Sequence, residues 1–226
     1  LVVSRLLPDL ATVAVTLKND IMNGVLLRHA GITIGRSLAG FSMAVLIGIP
    51  LAAFMARSPM FARLFEPTFF AGYPVPKIAL YPIFTFIFGY GTPSKIAFTF
   101  LECLYPIVVT TYLGVRAIQA NWIWTAQNAG ASRSQIFRRV LVPAALPSII
   151  AGMRIALPIA ITIVVVTEMI GDSAGLGYYI TSYSTRFRYA NVYSGILMIG
   201  ICGFLLDYAI VLARRKLVYW ERDEGN

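Results

Sequence analysis

The sequence has 226 residues, of which 58% are hydrophobic and only 13% charged, with a net charge of +9. Soluble domains carry about 25% charged residues, so a mean hydropathy of +0.74 excludes an ordinary soluble domain and points to an integral membrane protein. The two cysteines, Cys103 and Cys202, sit in apolar segments and form neither a disulfide framework nor a metal cluster. The excess of Lys and Arg is what the cytoplasmic loops of a membrane protein carry, so nucleic acid is not an expected partner.

The first residue is Leu1 and no signal peptide is visible, so the sequence is expected to begin downstream of its natural start. Residues 1–31 are mixed in character and too short of apolar residues to span a bilayer, which takes about 20. They read as an extracytoplasmic helix lying at the membrane surface. Residues 32–56 make the first span, with Gly35, Ala39, Gly40, Ala44 and Gly48 spaced for close helix contacts. Residues 64–90 are hydrophobic, but Pro67, Pro74, Pro76 and Pro82 prevent one regular helix. A broken segment at membrane depth is tolerated only in protein or along a wet cavity, which makes Pro74 and Pro76 candidate pathway residues. A turn at residues 89–93 leads into a third span, 95–115. A polar, basic stretch covers 116–147, and a fourth span covers 148–171. A polar loop fills 171–190, and a last span, 192–213, is stopped by Arg214-Arg215-Lys216, leaving 214–226 as a solvated tail. The fold class is therefore an all-α membrane protein of about five spans, one of them broken by prolines, in a single domain over residues 1–226.

Arg57, Arg63, Arg116, Arg133, Arg138, Arg139, Arg154, Arg214, Arg215, Lys216 and Arg222 collect on one side of this topology. Arg5, Lys18, Arg28, Arg36, Lys95, Arg186 and Arg188 collect on the other. The first set is larger and more clustered, so it marks the cytoplasm. Residues 116–147 and the C-terminus are then inside, and 171–190 outside. Three carboxylates, Glu102, Glu168 and Asp207, lie within the regular predicted spans, where charge is costly and has either a partner or a function. Glu102 reads as a helix–helix hydrogen bond or a pathway residue. Glu168, beside Met169, reads as a bond to the backbone of the Gly171–Gly177 turn or a gate. Asp207 is expected to pair with a neighbouring helix, and Arg154 to snorkel to the cytoplasmic interface. Trp124 reads equally as part of an aromatic belt or as a binding anchor, and Arg186 and Arg188 as loop charges or as contacts for an acidic partner or an anion.

Within 116–147, Ala126, Gly130, Val140, Val142 and Pro143 fall in register on the pattern Glu-Ala-Ala-(x)3-Gly-(x)9-Ile-x-Leu-Pro, with Trp124 and Thr125 where the pattern has Glu and the first Ala. Gly130 lets the chain turn between two short helices, and Ala126 and Ala129 let another protein approach the backbone. This stretch resembles the cytoplasmic EAA loop of ABC-importer permeases. Pro76-Lys77-Ile78-Ala79-Leu80-Tyr81-Pro82 with Phe88-Gly89-Tyr90-Gly91, Glu168-Met169-Ile170-Gly171 with Gly175-Leu176-Gly177, and Gly203 with Asp207 are similar to stretches of the nitrate/sulfonate/taurine branch. The resemblance covers residues 28–213. It implies a type I importer fold in the bacterial cytoplasmic (inner) membrane, with one further span upstream of the residues present. It also implies a dimer of permeases, two cytoplasmic ATPase subunits and an extracytoplasmic binding protein. Trp124, Thr125, Ala126, Gly130, Ala131, Ser132, Arg133 and Pro143 then form the contact with the ATPase. Pro74, Pro76, Glu102, Glu168 and Met169 remain pathway or gate candidates.

No G-x-x-x-x-G-K-[ST] is present, so the chain is not expected to cradle ATP, and ATP and Mg belong to the partner subunits. With His29 as the only histidine, no catalytic triad or zinc motif can be assembled. The expected function is a permease for a small anionic solute such as nitrate, a sulfonate, taurine or bicarbonate. The alternatives are a pyrimidine or riboflavin-like vitamin precursor carried by the same machinery, a secondary transporter or channel, and a membrane enzyme.

Overall fold

Nearly the whole chain is helical, and its helices end mostly where glycine or proline ends them. The computed structural model describes residues 7–72 and 74–220. Arg5, Arg222 and the tail residues 221–226 of the sequence reading lie outside the described residues. Helix α1, Leu10–Met22, stops at Asn23, and the chain turns through Gly24 into α2, Val25–Arg57. This helix starts seven residues before the predicted span. The mixed character of residues 1–31 set the predicted start, but the backbone turns at Gly24, and side-chain polarity alone does not end a helix.

Helix α3, Pro59–Gly72, follows after Ser58, with Pro59 in the first turn, where its missing N–H costs nothing. Pro67 lies inside α3 and does not break it, contrary to expectation. The interruption falls at Pro74 and Pro76, because each proline also bars its predecessor from helical backbone angles. A single 3₁₀ turn, Lys77–Leu80, then leads into α4, Tyr81–Phe88, where Pro82 sits in the first turn. Neither α3 nor α4 is long enough to cross a bilayer alone.

Helix α5, Thr92–Arg116, is the next long helix, and two short helices follow, α6 (Ala120–Asn128) and α7 (Arg133–Ile136). The predicted loop does not extend to 147. From Arg133 a helix runs on for 39 residues, through a π-helical turn at Phe137–Leu141 and then α8, Val142–Gly171. Pro143 and Pro147 lie inside it. Pro143 is tolerated in the first turn after the π turn, which has already interrupted the ordinary i→i−4 ladder. Residues 171–190 are not a solvated loop either: they contain α9, Leu176–Ser184, with Leu176, Gly177, Tyr179 and Ile180 buried. Helix α10, Tyr189–Leu217, completes the chain. Among the described residues, α2, the Arg133–Gly171 helix, α5 and α10 are long and apolar enough to cross a membrane.

The chain divides into two compact units. The first comprises Leu1–Ser42, Lys77–Glu102 and Leu157–Leu206; the second comprises Met43–Pro76, Cys103–Ala156 and Asp207–Asn226. In the first unit Leu26, Ala30, Leu176, Tyr179, Ile180, Met198 and Cys202 form an apolar core, and Phe98 packs between Tyr81 and Phe84. In the second, Ala52, Met55, Phe69, Val108 and Tyr112 cluster. There α5 and α8 touch at their backbones: a Cβ on Gly114 would lie 2.2 Å from Ser148 Cβ, and one on Gly152 2.0 Å from Thr110 Oγ1. Small residues permit such approach where lipid supplies no hydrophobic drive between helices.

Candidate functional site

The second unit holds the turn between α6 and α7. Gly130 has a φ of 77°, in the left-handed region that glycine enters freely. Its N–H donates to the Gln127 carbonyl at 2.9 Å, and the Ala131 N–H donates to the Ala126 carbonyl at 3.0 Å. These two bonds make a Schellman cap, which satisfies the last carbonyls of α6. The spacing from Ala126 to Gly130 is thus a capping geometry. One residue later Ser132 caps α7: its Oγ accepts from the Gln135 N–H at 3.3 Å, and Gln135 Oε1 accepts from the Ser132 N–H at 2.8 Å. This is a reciprocal capping box. Two helix ends are therefore finished back to back with backbone and local side-chain bonds.

Helix α6 buries none of its residues, and Trp122 and Trp124 are 52% and 60% exposed. Thr125 spends its hydroxyl on the Asn121 carbonyl. Between α6 and the start of α8 lies an open cleft of about 790 Å³, lined by Trp122, Thr125, Ala126, Pro143 and Trp220 among others. The structure thus brings Thr125, Ala126 and Pro143 to one groove. It places Gly130, Ala131, Ser132 and Arg133 in the turn beside it, and leaves Trp124 off the groove lining. Arg133, Arg138 and Arg139 are exposed here. Exposed aromatic surface with a basic surround is the character of a docking site for another protein.

The pathway candidates divide differently. Pro74, Pro76 and Met169 are exposed. Glu102 lies 3.6 Å from Lys77 Nζ, both side chains nearly buried. Glu168 is almost fully buried in the first unit, where it accepts from Thr33 Oγ1 at 2.8 Å, Arg36 Nη1 at 2.9 Å and the Gly177 N–H at 3.0 Å. The bond to Gly177 is the one expected from the sequence. Gly175, at φ 109°, and Gly177 are obligatory there: a Cβ on the first would lie 2.1 Å from the Glu168 carboxyl carbon, and on the second 2.1 Å from the Val165 carbonyl oxygen.

Around Glu168 the structure assembles a charge cluster that the sequence reading missed. Arg36 Nη1 lies 2.6 Å from Asp172 Oδ2, and Lys95 Nζ 3.1 Å from the same oxygen. Arg36 also donates to Thr92 Oγ1 and the Ala174 carbonyl, and Lys95 to the Tyr90 carbonyl. The sequence placed Arg36 and Lys95 among the charges of the outer side, and in the fold both are buried. The available signal was position: Arg36 interrupts an apolar, small-residue run, and a charge there requires an internal partner. Burial raises the affinity of the Asp172 carboxyl for its proton. The Ser173 N–H, Lys95 and Arg36 together outweigh that effect and hold it below the usual carboxylate range. Nearby, His29 Nδ1 accepts from the Gly175 N–H, and Tyr179 donates to Asp20, which also accepts from Asn191. Burial and the Asp20 charge push the Tyr179 phenol upward.

Asp207 pairs with a neighbouring helix as expected, and its partner is Arg154 of α8, through Nε–Oδ1 and Nη2–Oδ2 contacts of 3.0 Å each. Arg154 thus has a two-point partner on α10 that the sequence alone did not name. Among the described residues no group of His, Cys, Asp and Glu is arranged to hold a metal.

Residues 44–219 match the family described as "Binding-protein-dependent transport system inner membrane component". The chain is 33% identical over 199 residues to the taurine transport system permease protein TauC of Escherichia coli (strain K12), covering 88% of this chain and 72% of the relative. It is 33% identical over 221 residues to the putative aliphatic sulfonates transport permease protein SsuC of Bacillus subtilis (strain 168), covering 96% and 79%. It is 32% identical over 205 residues to the formylaminopyrimidine transport permease protein ThiX of Halalkalibacterium halodurans, covering 91% and 82%. In fold it is similar to an inward-facing structure of the MetNI methionine ABC transporter, with a TM-score of 0.76 at 19% identity, over 88% of this chain and 98% of that one.

Proposed function

This chain belongs to the family of binding-protein-dependent transport system inner membrane components and is a permease of an ABC importer. On that premise we propose that it carries a small anionic solute of the taurine or sulfonate kind, as a dimer with two cytoplasmic ATPase subunits fed by an extracytoplasmic binding protein. ATP and Mg are bound and used by those ATPases. The observation that carries the reading is the α6–α7 turn. Its helix ends are capped from within, while Trp122, the small Ala126 and the adjoining cleft are left open to a second protein. Closure of the ATPases on nucleotide pushes this turn, and α8, which continues from it, transmits the displacement. The basic residues Arg133, Arg138, Arg139, Arg214, Arg215 and Lys216 orient the turn and the C-terminus to the cytoplasm, and α9 to the outside. A second solute class, pyrimidine precursors, is supported by the likeness to ThiX.

Two measurements test this. In the reconstituted importer, taurine with its binding protein should stimulate ATP hydrolysis and be taken up; stimulation by a pyrimidine alone would replace the solute assignment. Single cysteines at Ser134 and Ser182, in a background lacking Cys103 and Cys202, should react with an impermeant reagent from opposite sides of the membrane. Reaction from one side only would overturn the orientation.

A further inference from the structure

The Arg154–Asp207 pair is anomalous for its place. Both residues lie in helices of membrane-spanning length and hydropathy. Six residues, Tyr208 to Ala213, separate Asp207 from the basic cluster at Arg214, which at 1.5 Å per residue sets it about 10 Å inside that end of α10. Yet the side chains are 41% and 37% exposed, beside the exposed apolar residues Ile155 and Tyr208. An ion pair open at this depth faces lipid, a second protein or water. Lipid is the costliest: Asp207 takes two of the five guanidinium N–H donors, and the others would meet hydrocarbon with no acceptor.

We propose that this pair lines the aqueous solute route of the assembled importer, and that Arg154 contacts the anionic group of the passing solute. The second half of this proposal rests on the anionic solute proposed above. A planar guanidinium edge presents paired donors that match two oxygens of a sulfonate or carboxylate. Asp207 sets the plane of that edge by its own two-point contact and offsets most of the positive charge. The solute therefore meets an oriented but nearly neutral station. That suits transit, where a site must bind well enough to admit the solute and weakly enough to release it.

The test uses the complete importer, with both permease copies, ATPases and binding protein. Ala151 is exposed one turn before Arg154 on the same face of α8. In nanodiscs, Ala151→Cys in a background lacking Cys103 and Cys202 should react with a charged thiosulfonate, and taurine should slow the reaction. Absence of reaction would mean that lipid or the second permease covers this face, and would overturn the proposal. In proteoliposomes, the exchange Arg154→Asp with Asp207→Arg preserves the ion pair and relocates the guanidinium. Taurine uptake should fall about tenfold or more, the scale of one charge-assisted hydrogen-bond pair. Wild-type uptake by the exchanged pair would reduce it to a cross-link between helices and overturn the solute contact. If the wild-type importer carries no anion, the solute assignment fails, while labelling at Ala151→Cys still decides whether the pair faces water.

Discussion

Glu168 and Gly130 stand in regions held together in opposite ways. Around Glu168, two cations and two carboxylates are buried in the first unit, and every guanidinium nitrogen of Arg36 has a partner within the chain. Around Gly130, the second unit spends its polar groups on capping two helix ends, and its large side chains lie open. The first arrangement is closed on itself and resists change from within. The second is finished locally and leaves its surface for another molecule. Charge that is internally balanced serves rigidity; exposed aromatic surface suits the docking role proposed above.

The largest expected effect comes from unbalancing the closed region. Arg36→Met leaves Glu168 and Asp172 buried with one cation fewer, which should cost about 3–5 kcal/mol. Denaturant or thermal unfolding of the purified chain in detergent measures it, and a loss below about 1 kcal/mol would refute the closed reading. Next come matched glycine substitutions. Gly177→Ala drives a Cβ into the Val165 carbonyl, at 2.1 Å, and should destabilise by about 1–3 kcal/mol. Gly130→Ala meets no atom within 4 Å, so only backbone strain of about 1–2 kcal/mol remains. Its consequence should appear as less ATPase retained on the permease. Gly130→Asn, which tolerates the left-handed region, should retain nearly all of it. Equal unfolding losses for Gly177→Ala and Gly130→Asn would erase the distinction between the regions.

A pH titration sharpens the same contrast. Asp172 has its proton affinity lowered in the folded state, so its contribution is fully present above the unfolded carboxylate value of about 4. It is lost as pH falls through the lower folded value. Unfolding followed from neutral pH into this acid range should show the decline, and Asp172→Asn should flatten it. An unchanged acid limb in that variant would remove Asp172 from the cluster's energetics. The smallest effect on stability belongs to Trp124→Ala. Its side chain is largely exposed, so unfolding should shift by no more than about 0.5 kcal/mol. A fall in ATPase retention would make Trp124 an anchor for the docked subunit, and unchanged retention would assign it to the aromatic belt.

Much of this was legible in the residues. Long apolar runs announce the spans, and the Gly130 turn follows from glycine chemistry. The bond from Glu168 to Gly177 follows from the cost of a carboxylate in a span. What escaped was pairing between distant segments. Lys95 at the start of α5 is indistinguishable, in one sequence, from a charge flanking the membrane; only the fold brings Asp172 to within 3.1 Å of it. Likewise Glu102 called for a partner, but nothing local named Lys77. Helix α9 was hidden because a short segment of Tyr, Ser and Thr lacks the length to show a helical period. The junction at 147 misled for the converse reason: a polar, basic run read as a loop, while the helix that starts at Arg133 continues through the π turn and past Pro143.

That π turn has a genetic consequence. A wide turn of five residues, Phe137–Leu141, amounts to an α-helix carrying one residue more than its pitch requires. Deleting a single residue within it would restore ordinary pitch with little loss of helix. Because the wide turn already absorbs the extra residue, such a deletion would leave the Ser132 cap and the Gly130 turn close to their present phase about α8. One codon can thus be lost here without turning the proposed point of contact about its shaft. A deletion library should yield chains that stay coupled when the lost residue falls within 137–141, and uncoupled chains when it falls in the regular helix just beyond, where one residue turns the flanking segments by about 100°.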